Sequence, residues 1–465
     1  MEGRVLTKRN ASESDHVQTQ RWNNMMLAFA GVRERASKNK QQTFTALMHH
    51  LTPELLKKSV YAIKRQAAKG IDGVTWHDYQ ENLESRIEDL HTRIKNGSYR
   101  PKPARRVYIP KADGTQRPLS IQSVEDKIAQ QAVVSLLNQI YEVDFVGFSY
   151  GFRPGRSQHD ALDALTYGIS KKKVNWVLDL DIRQFFDTVE HEWLIRMIQH
   201  RVQDKRLIKL ITRWIKVGVM DEQGRRSPAQ VGVPQGAVIS PLLANIYLHY
   251  VFDLWSHQWR QQHAKGEVLL VRYADDAVLC FQNKWDANEY LVKLNQRLQR
   301  FGLVTHPDKT RLIRFGRYAV RQRAERGERR PETFDFLGFT HYCSCRQDGE
   351  FKVGRQTVRK RQVKQIQAVQ RELRRRMHDP IVKTLKWIQA VVRGHMNYYG
   401  VPGNCRSVNV FRDEIVKRWY KMLRRRSQRS TINWSRFGPW LRQHLIKVRV
   451  VHPYPEMRFR AKYSK

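Results

Sequence analysis

Strand-like and helical stretches alternate from about residue 107 to 345. Two apolar strands within that span carry acids, and after about residue 355 the chain turns to basic helical sequence. These three observations predict an α+β fold on a mostly antiparallel sheet, followed by an all-helical basic segment. Residues 1 to about 40 are polar and basic and read as loosely ordered at their start. Phe44 to Ala67 follows a helical pattern, and Gly70-Ile71-Asp72-Gly73 breaks it. A further helix is expected from about His77 to Lys95, with Glu81, Glu84 and Glu88 on a solvated face. Val107–Pro110 and Arg117–Leu119 flank an Asp113-Gly114 turn and read as a hairpin. Ser123 is placed to cap a helix to about Val143, with Ile128, Ala132, Leu136 and Ile140 on one stripe. Helical patterns also cover 190–202, 206–217, 241–255 and 285–301. Strand patterns cover 174–182, 268–281, 311–315 and 334–341.

The chain has 465 residues and a formal net charge of +41, from 85 Lys+Arg against 44 Asp+Glu. Such an excess repels itself unless a polyanion shares it, so nucleic acid is the expected partner. The sequence shows no long apolar span, no lipidation signal and no apolar signal-peptide core after Met1, which argues against a membrane. Four scattered cysteines (280, 343, 345 and 405) form neither a disulfide framework nor zinc-site spacing, so a reducing cytosol fits best. The region after 355 combines charge with aromatics. Gln356 to Arg376 holds eight Lys+Arg and one acid, and Trp387, Tyr398, Trp419, Trp434 and Trp440 follow. That mixture suits phosphate pairing and base stacking, although some of these rings must be core.

Tyr273-Ala274-Asp275-Asp276 joins two apolar runs and reads as the tip of a β-hairpin. Paired carboxylates on a rigid tip suit a divalent cation, though an ordinary acidic turn has the same composition. Upstream, Trp176, Leu178, Leu180 and Ile182 alternate with Asn175, Val177, Asp179 and Asp181, so both acids fall on one face of a strand. Acids in an apolar strand are costly to bury unless paired or bound to metal.

Eight motifs then occur in one order. They are Arg117 to Ile121, Phe148 to Ser157, Asp179 to Asp187, Gly232 to Gly236, Ser240 to Asn245, Arg272 to Asp276, Leu303 to Thr310 and Phe336 to Phe339. From about Gly70 to Tyr399 the chain closely resembles the reverse transcriptases of bacterial group II introns, which also act as splicing maturases. The resemblance implies a right-hand polymerase of fingers, palm and thumb. It implies an N-terminal extension with a template clamp (1–104), fingers and palm (105–350), a thumb or maturase domain (351–405) and a basic DNA-binding segment (406–465).

By the same resemblance Asp181, Asp275 and Asp276 are catalytic and hold two Mg²⁺ ions, with the Ile182 backbone carbonyl as a further ligand; Mn²⁺ can substitute. Asp179 is the rival on its strand, and the spacing to Phe185-Phe186 favours Asp181. Lys111 and Arg117 match residues that grip the nucleotide triphosphate, a task suited to a point charge and a bidentate guanidinium. Phe186 matches a steric gate against the ribose 2′-hydroxyl, with core packing as its other reading. Gln235 matches the residue near the nucleotide sugar, and Lys309 the one beside the leaving pyrophosphate. Phe336, Leu337 and Gly338 match a primer grip, and Gly70, Asp72 and Gly73 a template clamp.

The implied partners are a group II intron RNA, a DNA target with its primer, and dNTP, acting in a bacterial cytoplasm as a monomer or as a dimer on RNA. The sequence departs from longer members in showing no His-Asn-His endonuclease pattern, so cleavage of the second DNA strand is not expected of it. The alternatives are a host-adopted reverse transcriptase, in defence or beside CRISPR, and a maturase whose polymerase is incidental.

Overall fold

The computed structural model describes residues 13–110, 116–221, 223–227, 229–328, 331–426 and 432–463. The strands among them are, in chain order, β1 (Ala104–Pro110), β2 (Gln116–Ile121), β3 (Trp176–Asp181), β4 (Val219–Met220), β5 (Arg226–Ser227), β6 (Val268–Tyr273), β7 (Asp276–Phe281), β8 (Arg311–Arg314), β9 (Phe334–Phe336), β10 (Phe339–Cys345) and β11 (Phe351–Thr357). The fold is α+β. Two compact units are interleaved along the chain. The first takes the chain up to Gly155, then Ile182–Gln258 and Leu294–Thr305; the second takes Arg156–Asp181, Trp259–Lys293 and His306–Lys465.

The first unit is mainly helical. Its central helix, Val124–Asp144, is capped by the Ser123 hydroxyl, which accepts from the Asp126 N–H at 3.1 Å. Ile128, Ala132, Leu136 and Ile140 are fully buried along it, as the stripe in the sequence predicts. Its sheet has the order β2-β1-β4-β5, with Val107 opposite Leu119. The turn between β1 and β2, with Lys111, lies outside the described residues.

The second unit carries the sheet β6-β7-β3-β8, in which each neighbouring pair is antiparallel. It also carries the sheet β11-β10-β9. Among the helices that follow are Arg359–Arg375, Ile381–Tyr399, Cys405–Arg424 and Trp434–His444. Their apolar faces form one core around Ile388, Val392, Phe411, Ile415 and Trp419, so Trp419 is packing rather than a stacking surface. Trp434, by contrast, is half exposed. No helix among the described residues is long and apolar enough to cross a membrane.

Several elements differ from the sequence expectation. Glu13–Lys38 is a helix that the sequence pattern did not announce, and the start of that stretch, expected to be loosely ordered, lies outside the described residues. The helix expected over Phe44 to Ala67 is confined to Pro53–Ala62, because Pro53 can start a helix but cannot sit inside one. The expected helix over His77 to Lys95 is two helices broken at Asn82, whose φ is 57°. The expected strand 334–341 is a hairpin, β9 to β10. Helix Gln158–Lys171 and strand β11 were not anticipated.

Candidate active site

Register places the acids. In the antiparallel pair β3–β7, Asp181 stands opposite Asp276 and Asp179 opposite Val278. Directly opposed residues hold their Cβ atoms about 4.5–5.5 Å apart, so the carboxyls of Asp181 and Asp276 meet on one face. The other acid, Asp275, lies in the turn itself. Tyr273 pairs with Asp276, which leaves Ala274 and Asp275 as a two-residue turn between β6 and β7. Ala274 adopts φ 57°, a left-handed conformation that an L-residue holds only when its surroundings impose it. Arg272 helps to impose it: its buried guanidinium donates from Nη1 to the Ala274 carbonyl at 2.9 Å. No role for Arg272 was read from the motif, although a charged residue directly after the apolar run 268–271 was a visible signal.

The electrostatics follow from this crowding. Burial, then the like charges of Asp275, Asp181 and Asp179, push the Asp276 carboxyl up to about 7. The residue itself reaches solvent at the tip, where the three neighbouring carboxylates add to the effect of burial. Asp179 is pushed up to about 6 by burial, opposed by Arg311, whose Nη2 lies 3.5 Å from its Oδ2. Asp181 has another partner: Lys309 Nζ stands 2.6 Å from its Oδ2. A cation is therefore already drawn to the acid that the motif spacing singled out. The Asp181 carbonyl accepts from the His306 N–H at 2.7 Å. Ile182 bridges to Thr305, beside an Arg183 N–H to Val304 carbonyl bond of 2.9 Å.

Among the described residues no three His, Cys, Asp or Glu side chains already stand as a ligand cage. The donors nonetheless suit a hard divalent cation. The side-chain donors are carboxylate oxygens, Asp181 and Asp276 face one another by register, and burial with the neighbouring acids raises the Asp276 carboxyl, a crowding that a cation would relieve.

The second expected element of the site is the tip of β9–β10. Phe336 pairs with Phe339, so Leu337 (φ 47°) and Gly338 (φ 83°) form a two-residue turn. The Tyr398 hydroxyl donates to the Leu337 carbonyl at 2.7 Å, and the Val358 N–H to the Gly338 carbonyl at 3.0 Å. A Cβ on Gly338 would stand 3.0 Å from the Tyr399 hydroxyl and 3.1 Å from Arg361 Nη1. Phe336 is buried, so its side chain anchors the hairpin and the turn carries whatever contact the tip makes.

The remaining residues lie in the first unit. Phe186 is half-buried and lines a pocket of about 230 Å³ with Arg106, Ser120, Asp187, Pro234 and Gln235. Its neighbour Phe185 is the core ring. The Gln235 amide donates from Nε2 to the Asp187 carboxylate at 3.1 and 3.2 Å, a partner that motif reading did not supply. Arg117 is exposed on β2 opposite Ile109. Gly70 is pressed against the helix start at Ser123: a Cβ there would lie 2.6 Å from its backbone, which only glycine permits. The loop is tied down by Lys127 Nζ to the Ala68 carbonyl at 2.7 Å and by Lys102 to Asp72 at 3.1 Å. Gly73 turns it at φ 72°.

Residues 109–341, just over half of the 465-residue chain, match the family described as reverse transcriptase (RNA-dependent DNA polymerase). The chain belongs to the reverse transcriptase family. The chain is 37% identical over 239 residues to protein YkfC of Escherichia coli (strain K12), covering 45% of this chain and 62% of that protein. It is 36% identical over 225 residues to the group II intron-encoded protein LtrA of Lactococcus lactis subsp. cremoris, covering 46% of this chain and 37% of that protein. It is 27% identical over 157 residues to nuclear intron maturase 4, mitochondrial, of Arabidopsis thaliana, covering 34% and 19%. The resemblance to intron-encoded reverse transcriptases, read from the motifs, thus stands on relatives whose length the chain spans only in part. The matched stretch of the chain holds the acid pair, the Gln235 loop, Lys309 and the β9–β10 tip.

Proposed function

We propose that the chain is an RNA-directed DNA polymerase of a group II intron, which also binds its intron RNA as a splicing maturase and supports intron mobility. The observation that carries this reading is the register pairing of Asp181 with Asp276 beside Asp275 at a strained tip. In the proposed reaction a primer 3′-hydroxyl displaces pyrophosphate from a dNTP. That chemistry asks the protein for position and charge rather than for a covalent intermediate. Asp181, Asp275, Asp276 and the Ile182 carbonyl would hold Mg²⁺, whose chemistry is to offset charge on the phosphates and make the hydroxyl more acidic. Lys309 exchanges its carboxylate partner for phosphate oxygens as nucleotide arrives. Lys111 and Arg117 bind the triphosphate, Phe186 abuts the sugar and disfavours a 2′-hydroxyl, and Gln235, steadied by Asp187, lies near the same sugar. The Leu337-Gly338 turn grips the primer end, and the Gly70–Gly73 loop clamps the template. The partners are an intron RNA, a DNA target with its primer, and dNTP.

The test is primer extension on an RNA template with dNTP and Mg²⁺. The wild-type chain should extend the primer. Asp276→Asn should lower the rate by at least about 10³-fold, the scale of losing charge stabilisation at a reacting phosphate, while RNA affinity stays within about twofold. Synthesis at the wild-type rate would remove Asp276 from the reaction. Loss of RNA binding would make the change structural.

A further inference from the structure

The family resemblance implies a DNA-binding role for the basic segment 406–465. The last of its basic residues are engaged elsewhere. Helix Pro455–Tyr463 returns to helix Gln158–Lys171, where Arg458 Nε donates to Asp163 Oδ2 and Lys462 Nζ stands 2.6 Å from Asp160 Oδ2. Phe459 stacks on Tyr167 at 4.9 Å. Asp163 is almost fully buried and takes a second guanidinium, Arg355 Nη1 of β11, at 3.1 Å. Arg458 also lies 2.9 Å from His452 Nδ1, through Nη1. The His452 ring stacks on His159 at 3.8 Å, and its Nε2 is 2.6 Å from the Asn397 carbonyl. Val451 and His452 donate their N–H groups to the Gly400 carbonyl at 2.8 and 3.2 Å.

What this segment holds is the support of the site. Helix Gln158–Lys171 packs on β6 so closely that a Cβ on Gly168 would lie 2.3 Å from Leu269 Cδ2. Gln158, at its start, hydrogen-bonds the Tyr273 hydroxyl, two residues before Asp275. His159 packs on Phe339 and on Tyr398, and the Tyr398 hydroxyl fixes the Leu337 carbonyl. Without Arg458, Asp163 keeps the charge of Arg355 on Oδ1, but its buried Oδ2 loses the hydrogen bond that Arg458 donates, and a buried acceptor left without its donor is costly. Losing Arg458 therefore strains a helix that touches both the catalytic turn and the grip turn.

We infer that residues 449–463 are a strap over helix Gln158–Lys171, and that Arg458 is a positioning residue which, through Asp163, aligns the carboxylate turn with the β9–β10 tip. The inference rests on the polymerase reading for its catalytic consequence. The basic side chains of Arg458 and Lys462 are spent on Asp163 and Asp160, so they do not serve as phosphate contacts.

The experiment uses the full chain with Arg458→Met, Arg458→Lys, Asp163→Asn and the double variant Asp163→Asn/Arg458→Met. Nucleotide-addition kcat, KM for primer–template, duplex affinity against salt, and the unfolding midpoint are measured. A displaced catalytic group costs about 10- to 100-fold in rate, so Arg458→Met should lower kcat by about that factor with KM and the salt slope unchanged. Arg458→Lys should restore most of it, and the double variant should melt less than additively relative to the single changes. Weaker duplex binding with a shallower salt slope and normal kcat would overturn the strap and make the segment a DNA-binding arm. Additive melting would overturn it too, because Asp163 and Arg458 would then not act as one unit. A wild-type chain that makes no DNA would end the polymerase reading instead, and the melting cycle would still decide the strap.

Discussion

Asp276 meets three other acids at the head of β7, and its titration shows how the site answers to charge. Its carboxyl is raised from its ordinary value near 3.8 up to about 7, through burial and the charges of Asp275, Asp181 and Asp179. The folded chain therefore holds a proton that the unfolded chain releases between those two values. The sign follows: this group favours the folded state at low pH, and that advantage is lost as pH rises through about 7. Added Mg²⁺ has the opposite preference, because it must displace the proton. Stabilisation by Mg²⁺ should thus be larger at pH 8 than at pH 6, with apparent affinity falling toward about tenfold per unit of pH below 7. Thermal melts across a Mg²⁺ series at the two pH values check this, and a pH-independent shift would mean that Asp276 does not meet the ion. The acids themselves were legible, because a period of two put Asp179 and Asp181 together and a flanked dipeptide marked the tip. The pairing of Asp181 with Lys309, and the support of the turn by Arg272, were not, since each depends on side-chain direction.

At the scale of the element, the two short turns behave alike and were read differently. Ala274-Asp275 was seen as a tip because acids interrupt an apolar run. Leu337-Gly338 was read as the middle of a strand, because leucine is a poor turn residue and no Asn-Gly or Asp-Gly pair marks it. The structure holds Leu337 at φ 47° by tying its carbonyl to Tyr398. The same logic explains helix Gln158–Lys171. Its Ser157–Asp160 capping box was present in the sequence, but the partners that neutralise its buried Asp163, Arg355 and Arg458, lie far along the chain. Gly338→Ala tests the grip turn. The new Cβ meets a hydroxyl and a guanidinium at 3.0 and 3.1 Å on a backbone at φ 83°, so about 1–3 kcal/mol of stability should be lost. Primer–template KM should rise more than kcat falls, because the turn is proposed to hold the primer end. Denaturant melts and steady-state extension measure the two effects, and an unchanged KM would return the turn to a packing role.

For the whole molecule the controlling quantity is the charge of +41. Much of the chain's ion pairing is local, as in Arg93 with Asp89, or Arg418 with Glu414. Such pairs engage acids that are outnumbered nearly two to one, 44 against 85, so a large cationic surplus must face outward whatever the fold. Composition alone therefore made a polyanion partner legible, whereas the interleaving of two compact units along the chain was not, because it depends on contacts between distant segments. A surplus of this kind acts through counterion release, and the salt dependence of binding reports it directly. If the proposed RNA contact neutralises about 6–10 phosphates, affinity should fall by about 10³–10⁵-fold between roughly 50 and 200 mM salt. Fluorescence anisotropy with a labelled structured RNA across that range gives the slope. Asp276→Asn should leave the slope unchanged, because the site acids neither release nor replace phosphate counterions. A slope near zero in the wild-type chain would mean that the surplus keeps the protein soluble and that RNA is held by other contacts.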